Sequence, residues 1–281
     1  MATADQQAAK AEAFRALHFA DAPLVLPNIW DAGSAVMAAD AGFPALATTS
    51  AGVAWALGHG DGEQMPRGQM LDAVARIAER VALPLTADME AGYGASPVAI
   101  AATVAKTLEA GAIGVNLEDG LDHGAGTVLE MTDAVARIVA ARASADNAGI
   151  PMVINARTDV YFGSGRTDAE KFDEAVTRAN AYLQAGADCA FVIAVNAPEV
   201  IERLVREIHG PLNIIAGSSG LDVNVLAGLG VKRISLAGGM SRSVLSHFRD
   251  SLLEIRDHGT TSFLDGGMSH PELNQLFGKL G

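Results

Sequence analysis

A unit made of a short β-type run and a following helical pattern recurs about eight times along the chain. The runs that we predict as strands are 24–28, 45–49, 84–88, 114–118, 152–157, 189–193, 212–216 and 233–237. They show little alternation of apolar and polar residues, which is typical of parallel strands that are covered on both faces. The sequence therefore predicts an α/β fold, a closed (β/α)₈ TIM barrel that forms a single domain over residues 1–281.

Helical patterns lie between these runs. The helices that we predict are 69–80, 97–109, 132–145, 168–184 and 198–208. Capping signals occur at three of their starts, Ser96, Thr132 and Thr167. A doubly wound open sheet is the alternative architecture, and a glycine-rich phosphate fingerprint after the first strand would favour it. Residues 26–35 read LPNIWDAGSA and carry no such fingerprint.

The end of the chain does not fit the repeat. We interpret residues 257–281 as a C-terminal extension, in which a loop precedes an additional helix over 271–280. A closed barrel does not need this helix, so the helix must pack elsewhere. A second subunit is one candidate surface.

Composition excludes several classes of function. The formal net charge is −13 and no run of Lys and Arg offsets it, so we expect no nucleic-acid partner. The single cysteine cannot form an intramolecular disulfide. The first residues are polar, and no apolar run is long enough to span a bilayer. We therefore expect a cytoplasmic protein without a membrane partner.

Polar residues follow the predicted strands at their carboxyl ends, where a (β/α)₈ barrel carries its site. Asp88, Glu90 and Glu118 are acids at two neighbouring strand ends, and such oxygen ligands suit Mg²⁺ or Mn²⁺. Arg157 ends the fifth run, where its planar guanidinium can hold a substrate carboxylate in a bidentate pair. It could instead be a structural partner of Glu118 or Asp159.

Other candidates for chemistry are few. His59 and His123 lie in loops, where each could donate a proton or could simply be exposed. Cys189 begins its strand, at the end of the barrel opposite the expected site, and we interpret it as structural. No cluster of Cys and His indicates zinc, and no glycine-rich loop with a lysine indicates a nucleotide.

Five segments together resemble the isocitrate lyase/phosphoenolpyruvate mutase superfamily. They are TSAGVAWALGHGD, ADMEAGYG, NLEDG, NARTDV and PLNII, and the resemblance extends over about residues 24–243. It implies a (β/α)₈ barrel that binds Mg²⁺ and an α-oxocarboxylate or dicarboxylate, with an enolate-like intermediate. It also implies exchange of a C-terminal helix between subunits, so we expect a homodimer or homotetramer.

The resemblance also implies roles for individual residues. The substrate-binding residues that it implies are Ser50, Ala51, Gly52, Arg157 and Asn213. Asp88 matches the principal metal carboxylate and Glu118 the next acid of the metal shell. Glu90 stands where the family usually has a second Asp. Asp61 matches the acid in the loop after strand two, and with Arg157 and His123 it completes our set of catalytic candidates.

The segment after the Glu-Asp pair departs from the family. Residues 118–138 read EDGLDHGAGTVLEMTDAVARI and contain neither the cysteine loop of the lyases nor the Lys-Thr-Asn segment of the mutase. We therefore expect a Mg²⁺-dependent enzyme that cleaves a C–C bond of a small α-oxo acid, as in decarboxylation of oxaloacetate. P–C bond chemistry on phosphonopyruvate or carboxyphosphonoenolpyruvate is one alternative. A non-catalytic dicarboxylate-binding protein is another.

Overall fold

The repeat folds into a parallel sheet that closes on itself. The computed structural model describes residues 3–122, 125–217 and 221–278. Its strands are β1 (Leu24–Leu26), β2 (Asn28–Ile29), β3 (Leu46–Thr48), β4 (Leu85–Asp88), β5 (Gly114–Glu118), β6 (Val153–Thr158), β7 (Cys189–Val192), β8 (Leu212–Ile215) and β9 (Arg233–Ser235). Their order in the sheet is β1-β9-β8-β7-β6-β5-β4-β3-β2. Because β1 and β2 lie on either side of Pro27, one stretch of chain pairs with both β9 and β3 and confirms the predicted TIM barrel.

Helices surround the barrel. They are α1 (Ala4–Leu17), α2 (Ala32–Asp40), α3 (Ser50–Ala56), α4 (Arg67–Arg80), α5 (Pro97–Glu109), α6 (Met131–Asn147), α7 (Asp168–Gln184), α8 (Pro198–Glu207), α9 (Val223–Gly228), α10 (Gly239–His258) and α11 (His270–Gly278). Ser96 and Thr167 cap α5 and α7 as predicted. The prediction for Thr132 was wrong, because α6 already begins at Met131. No helix in the described ranges is long and apolar enough to cross a membrane.

A chain of polar side chains forms the floor beneath the barrel mouth. Asn155 donates from Nδ2 to Asn116 Oδ1 at 2.8 Å and to Asn213 Oδ1 at 3.0 Å. Asn213 in turn donates to Ser235 Oγ at 3.0 Å, and Arg233 donates to Asn116 Oδ1 at 3.1 Å. Asn155 and Asn213 lie on β6 and β8, which are not neighbours in the sheet, so their hydrogen bond crosses the barrel interior.

The C-terminal helices differ from expectation. Helix α11 lies against α2 of the same chain, with Leu276 buried and Phe277 next to Gly33. The Arg80 guanidinium donates to the Phe277 carbonyl. The described residues 270–278 therefore have a packing surface in their own chain, and a contact of this helix with a second subunit stays a prediction. The preceding helix α10 is the exposed one, and within it only Ser241 and Ser251 are buried.

Candidate active site

Asp88 is fixed at the barrel mouth by the first residue of α3. The Ser50 amide donates to Asp88 Oδ2 at 3.0 Å, and the Ser50 hydroxyl donates to the same oxygen at 2.9 Å. The Asp88 amide donates to Thr48 Oγ1 at 2.8 Å. Both Ser50 bonds use one carboxylate oxygen, so the other oxygen, Oδ1, is the one available to a cation.

Helix α3 supplies the segment 50–52 that was predicted to bind substrate. The Ser50 amide is already used by Asp88, and the Gly52 amide donates to Thr49 Oγ1 at 3.4 Å. Ala51 is the second residue of the helix, so its amide has no acceptor within the helix. Position 52 requires glycine, because a Cβ there would lie 2.7 Å from Thr49 Cγ2 and 2.9 Å from Trp30 Cβ.

Arg157 lies among acids. It forms a two-point pair with Asp159, from Nε to Oδ1 at 2.6 Å and from Nη2 to Oδ2 at 2.8 Å. Its Nη1 lies 2.5 Å from Glu118 Oε2. Burial lowers the pKa of Arg157, but the charges of Glu118 and Asp159 outweigh this effect and raise it above its ordinary value. These contacts use three of the five guanidinium N–H groups, which leaves one on each terminal nitrogen for a substrate carboxylate.

The acids of the mouth crowd one another. Burial, opposed by Arg157, raises the pKa of Glu118 well above its ordinary value. Burial and the nearby Asp88 charge also raise the pKa of Asp61, and they raise the pKa of Glu90 to about 7. A cation bound here would relieve this repulsion.

The donor set fits a hard divalent ion such as Mg²⁺ or Mn²⁺. The described acidic side chains of the mouth, Asp88 and Glu118 among them, offer carboxylate oxygens, which is the ligand type that these ions prefer. In the described part of the chain, no group of three or more His, Cys, Asp or Glu side chains converges on one point. Mg²⁺ usually binds one or two carboxylates and keeps several waters, so Asp88 and Glu118 are the residues that could hold it.

Glu90 has both of its carboxylate oxygens engaged by protein donors. The Glu63 amide donates to Oε2 at 2.6 Å, and the Tyr93 hydroxyl donates to Oε1 at 2.9 Å. Glu90 is 4% exposed. Neither Glu63 nor Tyr93 was among the site residues that the sequence predicted.

The remaining candidates occupy different positions. Asp61 is exposed in the loop between α3 and α4 and lies beside Ser50. Asn213 is fully buried in the polar floor, so it lies beneath the mouth. His123 lies outside the described residues. His59 bonds Gln69 Oε1 at 3.1 Å.

The Glu-Asp pair after β5 divides between two environments. Glu118 faces Arg157, whereas Asp119 accepts a hydrogen bond from the Tyr182 hydroxyl at 2.5 Å and pairs with Arg178 at 3.3 Å. Successive side chains of a strand point to opposite faces, and this alternation was the signal that could have separated the two acids.

In the segment after the pair, the described residues 120–122 and 125–130 are linked by Asp122. Asp122 accepts from the amides of Ala125, Gly126 and Thr127 at 3.0, 3.1 and 3.0 Å. A Cβ on Gly126 would lie 2.2 Å from the Phe162 carbonyl oxygen. Gly126 therefore allows the backbone after β5 to contact the backbone at Phe162, in the loop that follows β6.

Three comparisons place the chain among known proteins. Residues 14–256 match the phosphoenolpyruvate phosphomutase family. The 2-methylisocitrate lyase of Escherichia coli K12 is 30% identical over 211 residues, which cover 72% of this chain and 68% of that protein. A proposed lyase/mutase from Burkholderia cenocepacia J2315 superposes with a TM-score of 0.90 at 36% identity, over 97% of both chains.

An oxaloacetate acetylhydrolase in complex with the product oxalate is also similar. It has a TM-score of 0.85 and 27% identity, and covers 96% of this chain and 94% of that one. The family match over residues 14–256 includes the strands of the barrel and the segments that carry Asp88, Glu118 and Arg157. The chain is therefore an enzyme, a lyase or a mutase, and belongs to the phosphoenolpyruvate mutase/isocitrate lyase superfamily.

Proposed function

We propose that the protein is a Mg²⁺-dependent enzyme that cleaves a C–C bond of a small α-oxo acid, as in decarboxylation of oxaloacetate. The observation that carries this proposal is the pairing of a fixed metal-type carboxylate, Asp88, with a guanidinium at the same mouth that keeps two free N–H groups. An α-oxo acid has a carbonyl oxygen, which a cation held by Asp88 would contact. It also has a carboxylate, which would pair with Arg157.

Each residue has a defined task in this reaction. Asp88, with Glu118 nearby, would hold Mg²⁺, which supplies electrophilic stabilisation of a developing enolate oxygen. Arg157 binds the substrate carboxylate through its two remaining N–H groups. The Ala51 amide is a further donor for the oxyanion. Loss of CO₂ from a β-keto acid needs little beyond this stabilisation, so the absence of a cysteine acid is no obstacle.

P–C bond chemistry is the second candidate, because the match over residues 14–256 is to the phosphomutase family. The same metal and arginine sites would hold phosphonopyruvate. A non-catalytic dicarboxylate-binding protein is the third, and it predicts binding without turnover.

A substrate screen with Mg²⁺ separates these candidates. Oxaloacetate, phosphonopyruvate, 2-methylisocitrate and dimethylmalate would each be incubated with the protein while pyruvate, phosphoenolpyruvate, phosphate, acetate and oxalate are measured. Pyruvate from oxaloacetate above a blank with Mg²⁺ alone supports decarboxylation, whereas oxalate with acetate indicates hydrolysis. Conversion of phosphonopyruvate alone would contradict the C–C proposal. Oxalate binding without any product would support the binding protein.

We predict no cleavage of isocitrate or 2-methylisocitrate. The lyase cysteine loop is missing, and the single cysteine, Cys189, is fully buried at the start of β7. Burial raises the pKa of the Cys189 thiol to about 12, so it is a poor acid or base for the mouth. Succinate and glyoxylate should stay at the level of a blank without enzyme, and succinate formed at enzyme-like rates would overturn the loop argument.

We also predict that α10 mediates a homo-oligomer. Its exposed apolar side chains recur at intervals of three and four residues, so they share one face of the helix. They are Val244, Leu245, Phe248, Leu252 and Ile255, with exposed fractions of 44–59%. A continuous apolar face of this length on a monomer marks an interaction surface.

Light scattering tests this prediction. The parent chain should show a multiple of 28.9 kDa, and the double variant Leu245→Asp/Phe248→Asp should shift it to the monomer mass. Ser246→Asp, on the opposite face of α10, is the matched control and should keep the parent mass. A parent protein that is monomeric at micromolar concentration would contradict the prediction.

A further inference from the structure

The loop between α3 and α4 is tied to the end of β4 by a hydrogen-bond circuit. The Glu63 amide donates to Glu90 Oε2 at 2.6 Å, and the Tyr93 amide donates to Glu63 Oε1 at 2.7 Å. The Tyr93 hydroxyl closes the circuit on Glu90 Oε1 at 2.9 Å. Each residue therefore bonds the other two.

The backbone at this circuit is strained. Glu63, Glu90 and Tyr93 have φ values of 55, 52 and 55°, and they are three of the five non-glycine residues with positive φ in the described ranges. Residues other than glycine rarely adopt a positive φ, and such backbone strain persists only where surrounding contacts enforce it. The hydrogen bonds of the circuit are those contacts.

The circuit holds a catalytic candidate in place. Asp61 stands two residues before Glu63 in the loop 57–66, and it lies beside Ser50 and near Asp88. Met65, in the same loop, is 1% exposed and anchors its far end in the core. With both ends fixed, the loop has little freedom to carry Asp61 away from the mouth.

We propose that Glu90, Glu63 and Tyr93 form a clasp that positions the loop 57–66 and Asp61 over the barrel mouth. In this assignment Glu90 is a positioning residue and not a ligand of the metal shell. The glutamate side chain is long enough for its carboxylate to reach both the Glu63 amide and the Tyr93 hydroxyl. The effect of the clasp on turnover rests on the proposed function, but the clasp itself does not.

Five variants, one of them a control, separate the clasp from a metal ligand. Glu90→Gln removes the charge, yet its side chain can still accept from the Glu63 amide and donate to the Tyr93 oxygen. Glu63→Gln likewise keeps a carbonyl acceptor for the Tyr93 amide, whereas Glu63→Ala removes it. Tyr93→Phe removes the hydroxyl alone. Tyr161→Phe is the matched control, because the Tyr161 hydroxyl is buried and has no hydrogen-bond partner in the described structure.

Amide hydrogen exchange of residues 57–66 and calorimetric titration with Mg²⁺ are the two measurements. Glu63→Ala and Tyr93→Phe should speed exchange in the loop on the order of tenfold and leave Mg²⁺ affinity within about threefold of the parent. Glu90→Gln, Glu63→Gln and Tyr161→Phe should resemble the parent in both measurements. Melting curves show whether each variant is folded.

Two outcomes would overturn the clasp. One is a loss of Mg²⁺ affinity of about tenfold or more in Glu90→Gln with unchanged loop exchange, which would place Glu90 in the metal shell. The other is unchanged exchange in both Glu63→Ala and Tyr93→Phe. If the protein turns over a substrate, Glu63→Ala and Tyr93→Phe should lower kcat, whereas Glu63→Gln should retain the kcat of the parent. Absence of turnover on every substrate would contradict the proposed function alone, because neither amide hydrogen exchange nor Mg²⁺ titration depends on turnover.

Discussion

Replacement of Asp88 by asparagine should weaken Mg²⁺ binding by at least on the order of a hundredfold and abolish turnover of the α-oxo acid. Loss of a residue that merely orients a metal ligand already costs tenfold to a hundredfold. Asp88 should cost more, because Mg²⁺ is held by only one or two carboxylates. Asparagine keeps an oxygen that accepts from the Ser50 amide and hydroxyl, so the local fold should survive.

Calorimetric titration with Mg²⁺ and Mn²⁺ checks this result. Asp72→Asn is the matched control, because Asp72 is an exposed acid on α4 and its loss changes the net charge by the same amount. Equal affinity of Asp88→Asn and the parent for both ions would move the metal site away from Asp88. A melting temperature close to that of the parent excludes unfolding as the cause of a weaker affinity.

The barrel could be predicted because its signals are local and repeated. Runs without alternation, glycines at the ends of helices and the order of strand and helix all point to the same fold. The helix predicted over 168–184 was confirmed as α7, with Thr167 and Glu170 in a capping box. Helix α1 was overlooked, although Thr3 and Gln6 form a capping box there too. Its sequence is polar, and its contribution is the burial of Ala11 and Phe14.

The site could be predicted as a set of residues but not as a set of contacts. The position of Asp88 follows from the end of its strand, and the chain order was sufficient for that. The orientation of Glu90 depends on its left-handed backbone and on Glu63, which lies 27 positions earlier. No periodicity in the sequence encodes a contact of this kind.

The C-terminal helices show the same limit. The pattern over 271–280 correctly indicated a helix, and α11 was found at His270–Gly278. Its packing partner depended on the path of the loop before it, which contains a 3₁₀ turn at Ser262–Leu264. The apolar residues of α10 recur at intervals of three and four and are a stronger sequence signal for an interface. The sequence analysis overlooked them, because a helix at this place is already expected from the barrel repeat.

Replacement of Arg157 by lysine should weaken oxalate binding in the presence of Mg²⁺ by roughly tenfold, and removal of the charge should weaken it by up to about a hundredfold. Lysine keeps the charge but loses the planar fork, so it can rescue only part of the affinity. Alanine alone is a poor test, because it removes the cation that pairs with the buried Asp159 and contacts Glu118. Breaking a buried pair in this way costs about 3–5 kcal/mol of folding stability.

The double variant Arg157→Met/Asp159→Asn reduces that problem, because it removes one positive and one negative charge together, and only the contact of Arg157 with Glu118 is lost without compensation. Oxalate titration of this variant and of Arg157→Lys, beside the parent and with melting curves, distinguishes a binding role from a structural one. Unchanged oxalate affinity in both variants would mean that Arg157 serves only to neutralise Glu118 and Asp159. The carboxylate would then have to be held by the Ala51 amide at the start of α3, and the guanidinium would stabilise the acids of the mouth rather than the substrate.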